Sequence, residues 1–490
     1  MNGPGASQAA PRRVIPIVAS RPSGSLYQSE AKIQARSVTG WFAGWRWSLV
    51  WITQLVFYGL PWMQWGGRQA VLFDLAARRF YIFGLVLYPQ DLIYLAGLLV
   101  ISAYSLFLFT AVAGRLWCGF ACPQTVYTEI FMWVERRFEG DRQARIKLDG
   151  ARWTGLKLLR RGGKHAVWLA IGLWTGFTFV AYFTPARSLA TEAMALTLGP
   201  WESFWCLFYG FATYGNAGYM REQVCKYMCP YARFQSVMFD RDTLVISYDE
   251  ARGEPRGSRA RGVPSASIGK GDCIDCTLCV QVCPTGIDIR EGLQYECIGC
   301  TACIDACNGV MDKVGYPRGL IRYATQRGLA QRSTPAQRST TSQMWRHVFR
   351  PRILVYTAIL VLIVGGFTAS LATRSPFRAD VVRDRGTMGR MVEDGRIENV
   401  YRVQLMNATE GPQHFRVEVE GLPQARIVSN AQTDVASTQA RWLPVVVQIP
   451  PEAAAALGAG AHPMRFRIVL TDSGRVVHDL TEKSTFVVPR

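Results

Sequence analysis

CIDCTLCVQVCP (residues 273–284) and CIGCTACIDACN (residues 297–308) are the stretches on which the reading of this chain turns. Each spaces its cysteines as Cys-x2-Cys-x2-Cys-x3-Cys: Cys273, Cys276, Cys279 and Cys283, then Cys297, Cys300, Cys303 and Cys307. In this spacing three close thiolates wrap one iron–sulfur cube, and the last cysteine of each run reaches across to close the other. The pattern predicts two neighbouring [4Fe–4S] clusters, one on Cys273, Cys276, Cys279 and Cys307, the other on Cys297, Cys300, Cys303 and Cys283. Zinc sites favour paired Cys-x2-Cys units, and a disulfide framework needs an oxidising compartment, so neither fits. Pro284 follows the first run, whereas Asn308 stands where the second would have its proline. That residue shapes the turn after the ligand and does not bind iron, so its change bears on the second cluster's hydrogen bonds and potential.

Around this core the chain reads as a membrane protein. It has 490 residues, too many for one compact core. Hydrophobic residues make up 49% and charged residues 19%, with 15 Trp and 24 Phe. The net charge of +19 flanks apolar stretches, which favours a membrane protein with basic cytoplasmic loops over a nucleic-acid binder. Five stretches can span a bilayer: Trp47–Trp65, Leu92–Gly114, Ala166–Thr184, Ser203–Met220 and Ile353–Thr373. Residues 123–163 carry nine Lys or Arg, whereas 61–91 carry only Arg68, Arg78 and Arg79, and 185–202 only Arg187. Arg346, Arg350 and Arg352 precede the last span. One orientation satisfies all of these, with a cytoplasmic N-terminus, five crossings and the C-terminal domain in the periplasm of a bacterial inner membrane. Every cysteine-rich element then lies on the reducing side, and none of the thirteen cysteines follows Cys307.

The expected organisation is a disordered polar tail without a signal-peptide pattern over 1–40, and a four-helix membrane domain over 41–240. A linker over 241–272 leads to a ferredoxin-like domain over 273–310. A second linker over 311–350 precedes the fifth helix (351–374) and a periplasmic domain (375–490). In that last part Val400–Met406, Phe415–Val419, Trp442–Ile449, Arg465–Leu470 and Ser484–Val488 read as strands, with turns at Asn407–Gly411, Pro450–Pro451 and Asp472–Gly474. Such spacing indicates an immunoglobulin-like β-sandwich. Its Met406, His414, His462 and Met464 read as scattered residues in preference to copper ligands. No histidine pair, His165 and His347 included, has haem-like placement.

Two further motifs bear on where electrons go. Cys118-Gly-Phe-Ala-Cys122-Pro123 follows the second span and Cys225-Lys-Tyr-Met-Cys229-Pro230 the fourth. Residues 47–123 and 166–230 thus form a duplicated unit of two spans and a CxxxCP motif, and such repeats place sites where they meet. One pair would be helix packing, the role assigned to Cys206. Two equivalent pairs indicate a four-thiol site of Cys118, Cys122, Cys225 and Cys229, a soft donor set suited to Cu(I), zinc or another iron–sulfur centre.

The ensemble resembles the cytochrome c oxidase accessory family called CcoG, FixG or RdxA. The resemblance rests on both CxxxCP motifs, YDEARGEPRG at 248–257, both cysteine runs, GLIRY at 319–323 and NVYRVQLMN at 399–407. It implies an α-helical membrane protein with a cytoplasmic 2[4Fe–4S] ferredoxin-like domain and a C-terminal immunoglobulin-like sandwich. It also implies reduction of Cu(II) to Cu(I) on the cytoplasmic side, during assembly of cbb3-type cytochrome c oxidase. The CxxxCP cysteines would handle copper, which passes to a copper exporter and oxidase assembly factors. The competing expectations are quinol- or ferredoxin-linked electron transfer to another partner, and a non-redox assembly scaffold. The electron donor stays unnamed.

Overall fold

The computed structural model describes residues 32–259, 269–330, 349–384, 386, 389–472 and 475–489. Most of the expected tail, parts of both linkers, Arg346, His347 and the Gly474 end of the last turn lie outside the described residues. The chain divides into two compact units, residues 1–59, 98–180 and 197–364 in one, residues 60–97, 181–196 and 365–490 in the other.

The first unit holds helices α1 (Trp41–Gly59), α2 (Leu92–Ala113, from Leu98 onward), α3 (Leu116–Phe120), α4 (Pro123–Glu139), α5 (Gly155–Val180), α6 (Pro200–Gly215) and α7 (Pro230–Met238). Strand β1 (Val245–Tyr248) pairs antiparallel with β2 (Ile321–Ala324). Between them lie α8 (Leu278–Gln281), α9 (Ala302–Val314) and the two cysteine runs. The ferredoxin-like fold therefore reaches well beyond 273–310 and takes β1 and β2 from segments expected as linkers. Ile246, Tyr248, Met311, Leu320 and Ile321 bury the joint.

Residues 32–40, the end of the expected tail, are tied to the rest of the first unit. Arg36 N–H donates to Gln281 O at 2.7 Å, Ser37 N–H to Asp141 at 3.0 Å, and Arg145 to Ala35 O. At its close Asp305, between two ligand cysteines, accepts from the N–H groups of Phe42 and Ala43 at 3.3 and 2.8 Å. It thereby caps α1, whose first-turn donors have no partner within the helix.

Among the described residues two helical stretches, not five, are long and apolar enough to cross a bilayer: Pro89–Ala113 (25 residues) and α10 (Pro351–Ala372, 22 residues). At 1.5 Å per residue they reach roughly 33–37 Å, against a hydrocarbon core of about 30 Å. Their side chains are almost wholly unburied by protein, Ile93 and Leu362 among the most exposed. Unburied apolar surface of that extent suits a bilayer, as in a membrane protein. The other three expected spans fall short for local reasons. Helix α1 stops at Gly59 and carries buried Arg46. The first ten residues of α5 include Lys157, Arg160, Arg161 and Lys164. Helix α6 has only 16 residues before the chain loosens into wider turns over Asn216–Met220.

The second unit contains the β-sandwich. Its strands are β3 (Phe377–Arg383), β4 (Arg390–Met391), β5 (Ile397–Asn407), β6 (Gln413–Glu420), β7 (Arg426–Ile427), β8 (Gln432–Val435), β9 (Ala440–Ile449), β10 (Gly460–Asp472) and β11 (Arg475–Val488). One antiparallel sheet runs β7-β9-β5-β3 with β4 on β5, and the other β8-β6-β10-β11. Alternating residues fill the space between them, with Phe377, Tyr401, Phe415, Phe466 and Phe486 fully buried. All five expected strands are present. Strand β3 (FRADVVR) escaped sequence reading because its charges mask the alternation. A helix over Pro451–Leu457 replaces the turn expected at Pro450–Pro451. Met406, His414, His462 and Met464 do not gather. The methionines are buried in separate clusters, His414 bonds Asp434, and His462 bonds Gly458 O.

Candidate iron–sulfur and thiol site

All eight cysteines of the two runs lie in the first unit, in two groups. Cys273, Cys276, Cys279 and Cys307 line one small cavity, walled by Tyr248, Leu278, Met311 and Ile321. Cys283, Cys297, Cys300 and Cys303 line another, walled by Ile246, Ile287 and Ile298, with Cys279 shared between them. These are the groupings expected from the spacing, and four thiols round an apolar hollow are the donor set a cube requires. None of the thirteen cysteines is in a disulfide. Nor, among the described residues, do three His, Cys, Asp or Glu side chains meet closely enough to hold a single ion. A cube separates its ligands, which suits that spread.

The two runs share one backbone path. Asp275 and Gly299, at matching positions, have φ of 55° and 72°, and the matching Thr277 and Thr301 have φ of 54° and 62° before α8 and α9 begin. These left-handed residues curl each loop so that its thiols face inward. Burial pushes the Cys279 and Cys297 thiols up to about 11, and those of Cys300 and Cys307 up to about 12. Iron must therefore displace protons to bind.

The CxxxCP motifs end alike. Pro123 and Pro230 open α4 and α7, a position that needs no N–H, which leaves Cys122 and Cys229 as the preceding caps. They begin differently, Cys118 in the short helix α3 and Cys225 in a widened turn over Val224–Met228. The four thiols lie near enough to act on one another's charge, though no three of them meet closely enough to hold a single ion: burial first, then Cys122, Cys118 and Cys229 push the Cys225 thiol up to about 12. Burial and Cys122 likewise push Cys118 up to about 11, and its thiol donates to Oε1 of fully buried Gln235 at 3.3 Å. Gln124 Nε2 joins the halves by donating to Asn216 O and Arg221 O at 2.9 and 3.1 Å. No other cysteine is among the groups acting on Cys206.

This quartet abuts the second cysteine group. Cys225 packs against the buried cluster formed by Val282, Ile298, Cys300 and Ala302, and it shares a small cavity of about 30 Å³ with Ile298 and Cys300. A Cβ on Gly119 would lie 2.5 Å from Gly299 O, and one on Gly299 would lie 2.9 Å from Arg115 O, so both positions need glycine for close approach. Arg115 Nη1 donates to Tyr295 O and Cys297 O at 2.6 and 3.2 Å, and Nη2 to Ala232 O at 2.5 Å. Tyr295 Oη donates to Lys226 O, inside the second motif.

Sequence reasoning missed Arg115, Gln235, Tyr295 and Glu135. Glu135 is fully buried and takes Arg145 at 2.7 Å, Arg221 at 3.1 Å and Lys164 at 3.8 Å. Burial raises its pKa, but these cations outweigh burial and hold the carboxyl below the usual range. One signal was present: an arginine precedes each motif, Arg115 before Cys118 and Arg221 before Cys225.

Comparison with known proteins agrees with this architecture. Residues 220–326 match the family described as a 4Fe-4S dicluster domain, and residues 95–140 a 4Fe-4S binding domain. Residues 367–489 match the IG-like fold at the C-terminus of FixG, a family described as a putative oxidoreductase. Nitrogen fixation protein FixG of Rhizobium meliloti is 41% identical over 445 residues, 85% of each chain. Protein RdxB of Cereibacter sphaeroides is 42% identical over 403 residues, 81% of this chain and 83% of that one. Protein RdxA of the same organism is 38% identical over 406 residues, 81% of this chain and 84% of that one.

Proposed function

The chain belongs to the FixG/RdxA family of iron–sulfur proteins, and from that premise we propose that it reduces Cu(II) to Cu(I) at a cytoplasmic thiol site for the assembly of cbb3-type cytochrome c oxidase. The observation that carries this reading is the seat of Cys225 against Ile298 and Cys300, with Cys118, Cys122 and Cys229 around it. Cys273, Cys276, Cys279 and Cys307, and Cys283, Cys297, Cys300 and Cys303, would hold two clusters, which would supply electrons singly over a range of roughly −700 to +450 mV. Cys118, Cys122, Cys225 and Cys229 receive the copper. Cu(II) takes one electron and no proton, and each thiol that binds gives its proton to water. Thiolate sulfur is a soft ligand that selects Cu(I), so the quartet favours the product state. In this reading the protein crosses the bacterial inner membrane five times, with its N-terminus cytoplasmic and its sandwich periplasmic. The shorter helices α1, α5 and α6 pack as a bundle, and Cu(I) passes on to a copper exporter.

The test is anaerobic: reduce the protein, remove excess reductant, add Cu(II) and follow Cu(I) with a selective chelator. Wild type forms Cu(I) in proportion to its reduced clusters, and serine at all four CxxxCP positions abolishes this while the cluster signals persist. An unchanged rate and stoichiometry in the four-serine variant refutes the site. A second reading, that the quartet holds another iron–sulfur centre, is favoured by the 4Fe-4S family match over Cys118 and Cys122. Iron analysis separates them, since two cubes give about 8 iron atoms per chain and three give about 12.

A further inference from the structure

Arg115 is buried, 6% exposed, at the end of the turn that leads from α2 into the first CxxxCP motif. Its hydrogen bonds go to three backbone carbonyls, of Tyr295, Cys297 and Ala232, and its guanidinium lies 5.5 Å from the Tyr295 ring centroid. It has no carboxylate partner among the described residues. The other cations near the cysteine groups differ in this respect. Arg46, near Cys300, faces Glu129 at 3.8 Å. Arg290, near Cys279, is held by Asp288 and Asp275 at 2.7 and 2.5 Å. Its carbonyl partners are neutral and its buried Nε has no hydrogen-bond partner among the described residues, and an uncompensated buried charge is costly. Cysteine sulfurs that become thiolates on binding a cluster or metal would answer that charge, and its Nη1 is bonded to the carbonyl of one such cysteine, Cys297. Cys118 and Cys225 of the thiol quartet and Cys297 of the second cysteine group all feel its field.

We propose that Arg115 is a positioning residue whose charge is shared by the second cluster group and the thiol quartet, so that each negative charge placed on either side meets the same guanidinium. This rests on the cluster assignment above and does not depend on copper. Its carbonyl bonds fix it in the seam, with Gly299 against its own carbonyl and Gly119 against Gly299. Net charge and hydrogen bonding near the sulfurs set a cluster's potential. Arg115 therefore favours an extra electron at the second group over the first, where Arg290 is already neutralised by two aspartates.

The experiment is a redox titration of the intact, cluster-loaded protein by EPR without copper, comparing Arg115→Gln and Arg115→Lys with wild type. The signal lost in Cys300→Ser marks the second group. Arg115→Gln should lower the equilibrium constant for reducing the second group at least tenfold, which is about 59 mV for one electron, and leave the first group unmoved. Arg115→Lys should stay within about threefold of wild type, because it keeps the charge and loses only the forked geometry. Iron content on the same samples covers misassembly. If Arg115→Gln cannot hold the second cluster, Arg115→Lys decides, with assembly at the wild-type potential supporting the proposal and failure equal to Arg115→Gln overturning it. Equal movement of both groups, or none, also overturns it.

Discussion

The two cysteine groups share a spacing and a backbone path, but they face different surroundings. The first is walled by its own domain, and its Cys276 is exposed. The second is held by the helical part of the same unit: Gly299 meets Arg115, Tyr295 meets Lys226, and Asp305 caps α1. Where the first has Asp275, the second has Gly299, and where the first has Pro284, the second has Asn308. Pro284 comes where a short helix has already ended. Asn308 lies within α9, which runs on to Val314, and its Oδ1 accepts from Gly319 N–H at 2.9 Å. The duplication thus has one face open to solvent and one committed to the thiol quartet.

Five substitutions probe that asymmetry, one of them a reciprocal control and the other four in falling order of effect. Glu135→Gln removes the charge that Arg145, Arg221 and Lys164 share and leaves them buried, a loss of about 3–5 kcal/mol. Thermal melts of the detergent-solubilised protein should show it, with iron lost first from the second group. The carboxyl lies below its ordinary value of 4.5 in the folded protein. The stability it contributes is therefore complete above that value and is lost as pH falls through the folded pKa. Wild type should weaken on acidification, and the variant should lack that part of the slope.

Asn308→Pro, which would make the two runs alike, should cost about 3 kcal/mol, because proline inside α9 removes a helical hydrogen bond and clashes with the preceding turn. A melting temperature equal to wild type would show that α9 does not run through this position. Gly299→Asp should cost about 1–3 kcal/mol through overpacking against the Arg115 backbone and deplete the second group's EPR signal. The reciprocal Asp275→Gly should leave both signals in place, and equal losses in the pair would refute the asymmetry. Tyr295→Phe should cost about 1 kcal/mol by removing the bond to Lys226 O, read as a small drop in melting temperature with full iron content.

Those parts of the site that follow from local spacing could be read in the sequence. A cube dictates where its thiolates fall, so both cysteine groupings were legible from Cys273 to Cys307, as was the sandwich wherever apolar residues alternate. Contacts between segments remote in sequence were not. Asp305 caps a helix 262 residues before it, and Arg115 meets Cys297 from 182 residues away. Nothing at either residue marks its partner. Only two of the five expected spans are long and apolar enough by themselves among the described residues, for a related reason. Stretches in α5 and α6 are apolar enough to tempt a hydropathy reading, but basic residues at the start of α5 and the loosened turns after Gly215 shorten the apolar run.

The central claim, that the thiol quartet beside Cys300 takes copper as Cu(I), is tested most directly by X-ray absorption at the copper edge. The sample is reduced, cluster-loaded protein given one equivalent of Cu(II) under anaerobic conditions. The account predicts a Cu(I) edge with sulfur neighbours only, and loss of those neighbours when Cys118, Cys122, Cys225 and Cys229 are all serine. Copper that stays Cu(II), or that is bound through nitrogen or oxygen, would contradict it.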